Sequence, residues 1–185
     1  MEGGTSLTLG SDFTIFDDKN SKEIFSLKLA NNLRLEENND LPKTNQLNSK
    51  NSNFFGEILF SPNRYFTTKY NASTKNNLTD VNYENLITEI SLNNFVTTFD
   101  YINENNTSDK NSYLSSTMKF NINKSNNIQF STRENKSSNL TEYYNLIYQY
   151  KNDCLAASIE YNKDYYDDRD IKPEENIFLK LTIIP

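Results

Sequence analysis

The chain has 185 residues, 35% of them hydrophobic, with a formal net charge of −6 and no histidine, a pI near 4.8 and a mean hydropathy of −0.79. An acidic chain without a basic stripe argues against a nucleic-acid footprint, a single cysteine excludes an internal disulfide, and no run reaches the roughly 18 apolar residues of a membrane-crossing helix. Low hydrophobicity with net charge leans towards disorder, yet 12 Tyr and 12 Phe recur inside alternating runs, where aromatic side chains favour strands.

Residues 5–16 alternate, with Leu7, Leu9, Phe13 and Ile15 on one side and Ser11 as the exception. After a polar turn at 17–22, residues 23–35 form a second strand with Phe25, Leu27 and Leu29 in phase; the phase slips near Ala30 to Asn32, where Asn31 does not fit. Residues 36–53 contain Pro42 and almost nothing apolar, which is a long loop. Strands at 54–60 and 65–72 are joined by the tight turn Ser61-Pro62-Asn63-Arg64. A polar loop at 73–81 leads to strands at 86–92 and 95–102 around Asn93-Asn94, residues that tolerate the positive φ of a two-residue hairpin turn.

Residues 103–111 read as another long loop, strands at 113–122 and 128–132 flank a turn at 123–127, and 133–140 form a further loop. Residues 141–161 read as one hairpin around Lys151-Asn152-Asp153. In its first arm Tyr144, Leu146, Tyr148 and Tyr150 share a face; in its second, Leu155, Ala157, Ile159 and Tyr161 oppose Cys154, Ala156, Ser158, Glu160 and Asn162. A last loop spans 163–176. The final strand, 177–184, sets Ile177, Leu179, Leu181 and Ile183 against Phe178, Lys180, Thr182 and Ile184.

The expectation is an all-β chain of eleven antiparallel up-and-down strands whose connections alternate short and long without exception. Soluble sandwiches mix connection lengths and cross between sheets, whereas outer-membrane barrels put short turns on the periplasmic rim and longer loops outside. Their strands need only about 9–11 alternating residues, so they escape a search for apolar helices. Such barrels carry even strand numbers in a single bacterial chain. With an odd count and no apolar leader, residues 1–185 are expected to be a stretch of a large transmembrane β-barrel from a longer exported protein.

The run Y-Q-Y-K-N-D-C-L-A-A-S-I-E-Y, followed by Y-Y-D-D-R-D-I-K-P-E-E-N-I-F-L-K-L-T-I-I-P, resembles the C-terminal end of the LptD family of lipopolysaccharide-assembly barrels, in its alphaproteobacterial style, over about residues 141–185. Upstream, E-G-G-T-S-L-T-L-G-S-D-F looks like an earlier strand of the same barrel, and the middle matches in pattern. The resemblance implies an outer-membrane protein of a Gram-negative bacterium that passes lipopolysaccharide into the outer leaflet. It implies an LptE-like plug lipoprotein as partner, with a jellyroll and early strands that residues 1–185 do not contain, and periplasmic bridge proteins. It also implies that Ile177, Phe178, Leu179, Lys180, Leu181, Thr182, Ile183 and Ile184 form one lip of a lateral gate. Cys154 then matches the C-terminal cysteine region that bridges to the periplasmic domain; the better-known pattern has two adjacent cysteines, whereas here Leu155 follows, leaving room for one bridge.

Other readings stand beside these. Cys154 is alternatively a small side chain without chemistry, and with no histidine to activate it a catalytic thiol is not expected. Asp164, Asp167, Asp168 and Asp170 have carboxylates suited to Ca²⁺ or Mg²⁺, but their spacing fits no ion-binding loop and reads as a solvated loop. Tyr143, Tyr144, Tyr148, Tyr150 and Tyr161 are either an interfacial girdle or cross-strand packing. Glycosylation-type tripeptides such as Asn71-Ala72-Ser73 and Asn77-Leu78-Thr79 are given no role in so Asn-rich a chain. No enzyme and no cofactor are expected, since no nucleophile elbow or glycine-rich loop is present. The competing functions are another outer-membrane barrel (a porin or an autotransporter translocator) and a surface β adhesin.

Overall fold

A computed structural model describes residues 4–41, 43, 46–76, 80–105, 110–165 and 172–183. Its strands are β1 (Ser6–Phe16), β2 (Glu23–Arg34), β3 (Phe54–Phe60), β4 (Phe66–Thr74), β5 (Val81–Leu92), β6 (Phe95–Asn105), β7 (Lys110–Asn121), β8 (Asn126–Asn135), β9 (Leu140–Lys151), β10 (Leu155–Asp164) and β11 (Glu175–Ile183). They form one 11-stranded sheet in chain order. The fold is therefore the expected all-β, up-and-down antiparallel meander.

Two compact units are present, Met1–Ile87 with Ile102–Asn111, and Thr88–Tyr101 with Ser112–Pro185. In the first, connections 17–22 and 61–65 lie at one end of the strands and 35–53 and 75–80 at the other. In the second, 93–94, 122–125 and 152–154 share one end, and 136–139 and 165–174 the other.

The strict alternation of short and long connections does not hold. Connection 136–139 is no longer than 122–125, because β8 and β9 continue through polar residues that the alternation had left in a loop. Arg133 supplies the reason: it forms an ion pair with Glu142 at 2.9 Å and lies over the Tyr113 ring at 4.2 Å. Strand β5 likewise begins at Val81 rather than near Leu86, and β6 runs on to Asn105. The longest connections are 35–53 and 165–174, both at the ends expected to carry long loops. Of the residues named above, Met1, Pro42, Asn77, Leu78, Thr79, Asp167, Asp168, Asp170, Ile171, Ile184 and Pro185 lie outside the described residues.

Asparagine closes the turns. Asn63 Oδ1 accepts the backbone N–H groups of Tyr65 and Phe66 at 2.8 and 3.1 Å; Asn123 does the same for Ser125 and Asn126, and Asn152 for Cys154 and Leu155. A short side-chain carbonyl that mimics a backbone acceptor stabilises each chain reversal. At 93–94, Asn93 takes φ 47°, a region open to Asn at low cost.

The slip at Asn31 is a bulge. Ala30 pairs with Phe55 whereas Leu33 pairs with Asn51, so one extra residue stands on the strand entering β3. The Asn31 amide donates to the carbonyls of Ser52 and Asn53 at 2.9 and 3.3 Å, and Ser52 Oγ accepts the Asn32 N–H at 2.8 Å. Asn53 in turn donates to Ser73 Oγ at 3.0 Å. An apparent misfit in the apolar row thus satisfies the backbone groups that the bulge leaves without ladder partners.

Candidate functional site: a sheet with one apolar and one polar face

Directly paired residues of an antiparallel ladder share a face, so the registers assign the sides of β1 to β4 and of β7 to β11. In the first unit the row Phe13, Leu27, Ile58 and Tyr70 crosses β1 to β4, and Ile15, Phe25 and Phe60 form the next; Phe13 and Phe25 meet edge to face with centroids 6.3 Å apart. On the opposite side the row Asp12, Lys28, Glu57 and Asn71 crosses the same strands. There Glu57 holds two ion pairs, to Lys28 at 3.1 Å and Lys69 at 2.9 Å. Removing the shared carboxylate sets two ammonium groups against each other, so Glu57→Gln should lower the unfolding free energy by up to about 1 kcal/mol, the upper range for part-exposed pairs, and shift the denaturant midpoint down. An unchanged midpoint would show that the pairs contribute nothing.

The second unit repeats the division. Met118, Phe130, Leu146, Tyr161 and Ile177 make one row, and Ile128, Tyr148, Ile159 and Leu179 the next. The other face carries Thr117, Ser131, Asn145, Asn162 and Asn176 in one row, and Glu160 pairs there with Lys180 at 2.7 Å. Tyr144, Tyr148, Tyr150 and Tyr161 fall on the apolar face, Tyr144 towards one end, Tyr148 and Tyr150 towards the other and Tyr161 between them, while Tyr143 falls on the polar one. Tyr144 stacks with Phe130 at 5.9 Å and meets Tyr165 edge on at 5.6 Å.

Burial is inverted relative to a water-soluble domain. Among the described residues no hydrophobic side chain is buried, and the least exposed are polar: Asn53 at 0%, Ser26 and Ser52 at 1%. The apolar rows are open in each unit, with Leu7 at 58% in the first and Ile183 at 83% in the second. In water, such an open apolar face is a liability in either unit. In a bilayer it is the requirement, because lipid solvates apolar side chains and the ladder satisfies the backbone groups that lipid cannot.

A family model described as LptD, LPS transport system D, matches residues 1–117. The chain belongs to the LptD family. An eleven-strand antiparallel sheet whose paired rows are apolar on one side in each unit is what a portion of an LptD barrel of the outer membrane requires. LptD is a lipopolysaccharide-transport family rather than a family of enzymes. No curated protein matches the chain. The matched residues cover β1 to β6 and part of β7, whereas the motifs that suggested LptD most specifically, at 141–185, lie beyond them.

Cys154 is free and exposed in the 152–154 turn, beside the start of β10. Ile177, Leu179, Leu181 and Ile183 lie on the apolar face of β11 and Phe178, Lys180 and Thr182 on the polar face. Cys154 and Ile183 belong to the same end of the β10–β11 pair, since Leu155 is the partner of Ile183. Of the acidic run, Asp164 closes β10 with its backbone N–H donating to Glu174 O at 2.9 Å. The Asn31–Ser52–Asn53 knot and the Lys28–Glu57–Lys69 cluster went unseen in the sequence; the phase slip at Ala30 to Asn32 signalled the first, and nothing local signals the second.

Proposed function

We propose that residues 1–185 form a C-terminal stretch of an LptD translocon barrel, of the alphaproteobacterial type, in a Gram-negative outer membrane. Its apolar face meets lipid and its polar face lines the passage of lipopolysaccharide into the outer leaflet. The observation that carries this reading is the inverted burial, polar side chains enclosed and apolar rows open, on a chain of this family. The protein works without chemistry: the polar wall solvates sugar and phosphate groups by hydrogen bonds and by charges such as Lys28 and Lys69, and an LptE-like lipoprotein plugs the barrel. The ends carrying 35–53 and 165–174 face outwards and the turns closed by Asn63, Asn123 and Asn152 face the periplasm, as loop length distributes in these barrels. Strand β11, with Ile184 following it, forms one lip of the lateral gate, and the jellyroll and periplasmic bridge proteins lie outside this stretch.

A photoreactive residue at Gln149 on the polar face should cross-link to lipopolysaccharide in growing cells, while one at neighbouring Tyr148, on the apolar face near the periplasmic turns, should capture phospholipid instead. Absence of a lipopolysaccharide adduct at Gln149 would overturn the transport reading. The exposed thiol of Cys154 sits on the periplasmic rim in this orientation, where disulfides form, and bridges to the periplasmic domain. The whole protein should therefore show a redox-dependent gel shift that Cys154→Ser abolishes; a shift that survives the substitution, or none at all, removes the bridge.

A further inference from the structure

The geometry points to a seat for one acyl chain of an outer-leaflet lipopolysaccharide molecule on the lipid-facing side of the first unit. The choice of lipid rests on the orientation proposed above. A groove of about 760 Å³ lies on the apolar face of β1 to β4. Its floor follows the paired row Ser11, Leu29, Gly56 and Ala72, where three of four side chains are small or missing. Leu9, Leu33 and Phe54 stand along it as walls. Leu9 lies early in β1, Leu33 late in β2, Phe54 opens β3 and Thr74 closes β4, so the groove opens towards the end carrying 35–53 and 75–80.

Two features set this groove apart from a rough patch of barrel wall. Glycine weakens a strand interior and calls for a reason. Here the backbone supplies none, because Gly56 has no positive φ and an added Cβ would meet only Leu29 Cδ2, at an ordinary 3.5 Å. What its missing side chain does is keep the floor low. The lining also carries no charged side chain, and the Asn31 amide within it is committed to the carbonyls of Ser52 and Asn53. An uncharged hydrocarbon chain is the occupant such a lining recognises, and its charged headgroup is left at the rim. Ser11, the one polar interruption of the β1 alternation, gives the groove width rather than a polar contact.

The test uses the protein made from its own gene in the outer membrane, with an alkyl-diazirine residue placed at Ala72 in the groove or at Phe60, on the same face but at the other end of the strands, where β3 closes. Irradiation should give a lipopolysaccharide adduct at residue 72 and none at 60, and the groove-filling change Gly56→Leu should abolish the first. If Gly56→Leu fails to accumulate, Ser11→Leu fills the groove from the other side and should act alike. Equal adducts at both positions, a phospholipid or protein adduct at 72, or an adduct indifferent to both filling changes would each overturn the seat. A lipopolysaccharide adduct at Gln149 without one at residue 72 would sink the seat alone, whereas loss of the Gln149 adduct sinks the transport reading.

Discussion

Leu146→Arg should cost about 2–4 kcal/mol and remove most of the heat-modifiable protein from the outer membrane, the range for arginine at the lipid-facing midplane of a barrel. Leu146 is 44% exposed and sits mid-strand in β9 between Phe130 and Tyr161. If water lay against it, the substitution would fall within about 0.5 kcal/mol of neutral, as surface changes do. Gln149→Arg, three residues along the same strand and on the opposite face, pairs with Asn127 and Ser158 and should leave the folded fraction nearly unchanged. The contrast between two arginines in one strand is the signature. Equal tolerance of both would mean that the apolar face does not meet lipid.

Asn31→Ala should lower the unfolding free energy by about 1–3 kcal/mol, the cost of stranding buried hydrogen-bonding groups, and with it the unfolding midpoint. The amide serves the carbonyls of Ser52 and Asn53, and those residues are almost wholly enclosed, so water does not replace it. Because the bulge anchors residues 46–53 to the end of β2, through the Arg34 N–H to Lys50 O at 2.7 Å and Arg34 Nε to Leu47 O at 3.1 Å, protease sensitivity of that connection should rise as well. Asn76→Ala removes an exposed bond to Asn51 O and serves as the control expected to change little. Urea unfolding followed by gel mobility reads both; equal midpoints for the two variants would show that the knot does not hold the bulge.

The strands were legible where one face is apolar and the other polar, because a two-residue period leaves its mark only then. That describes the middles of β1, β2, β9, β10 and β11. It fails near the ends, where Arg133, Glu134 and Asn135 are polar on both faces and the ladder continues unannounced. The two residues that broke the alternation, Ser11 and Asn31, mark a groove and a bulge. Asparagine looked like low complexity, but Asn63, Asn123 and Asn152 each close a turn through the same side-chain carbonyl. Pairings such as Lys28 with Glu57 depend on register across a long connection, which no local pattern encodes. The family was read from residues 141–185 and matched over 1–117, two stretches of one meander that share little beyond their period.

As proposed, this sheet is a membrane wall with lipid on one face and a water-filled passage on the other. Nitroxides attached to single cysteines at positions 143 to 150 of β9, in the full protein in outer-membrane vesicles with Cys154→Ser as background, test it directly. Collisions with oxygen should peak at Tyr144, Leu146, Tyr148 and Tyr150, and collisions with a water-soluble nickel chelate at Tyr143, Asn145, Ile147 and Gln149. Equal access of the chelate to all eight positions, or an inverted phase, would contradict it.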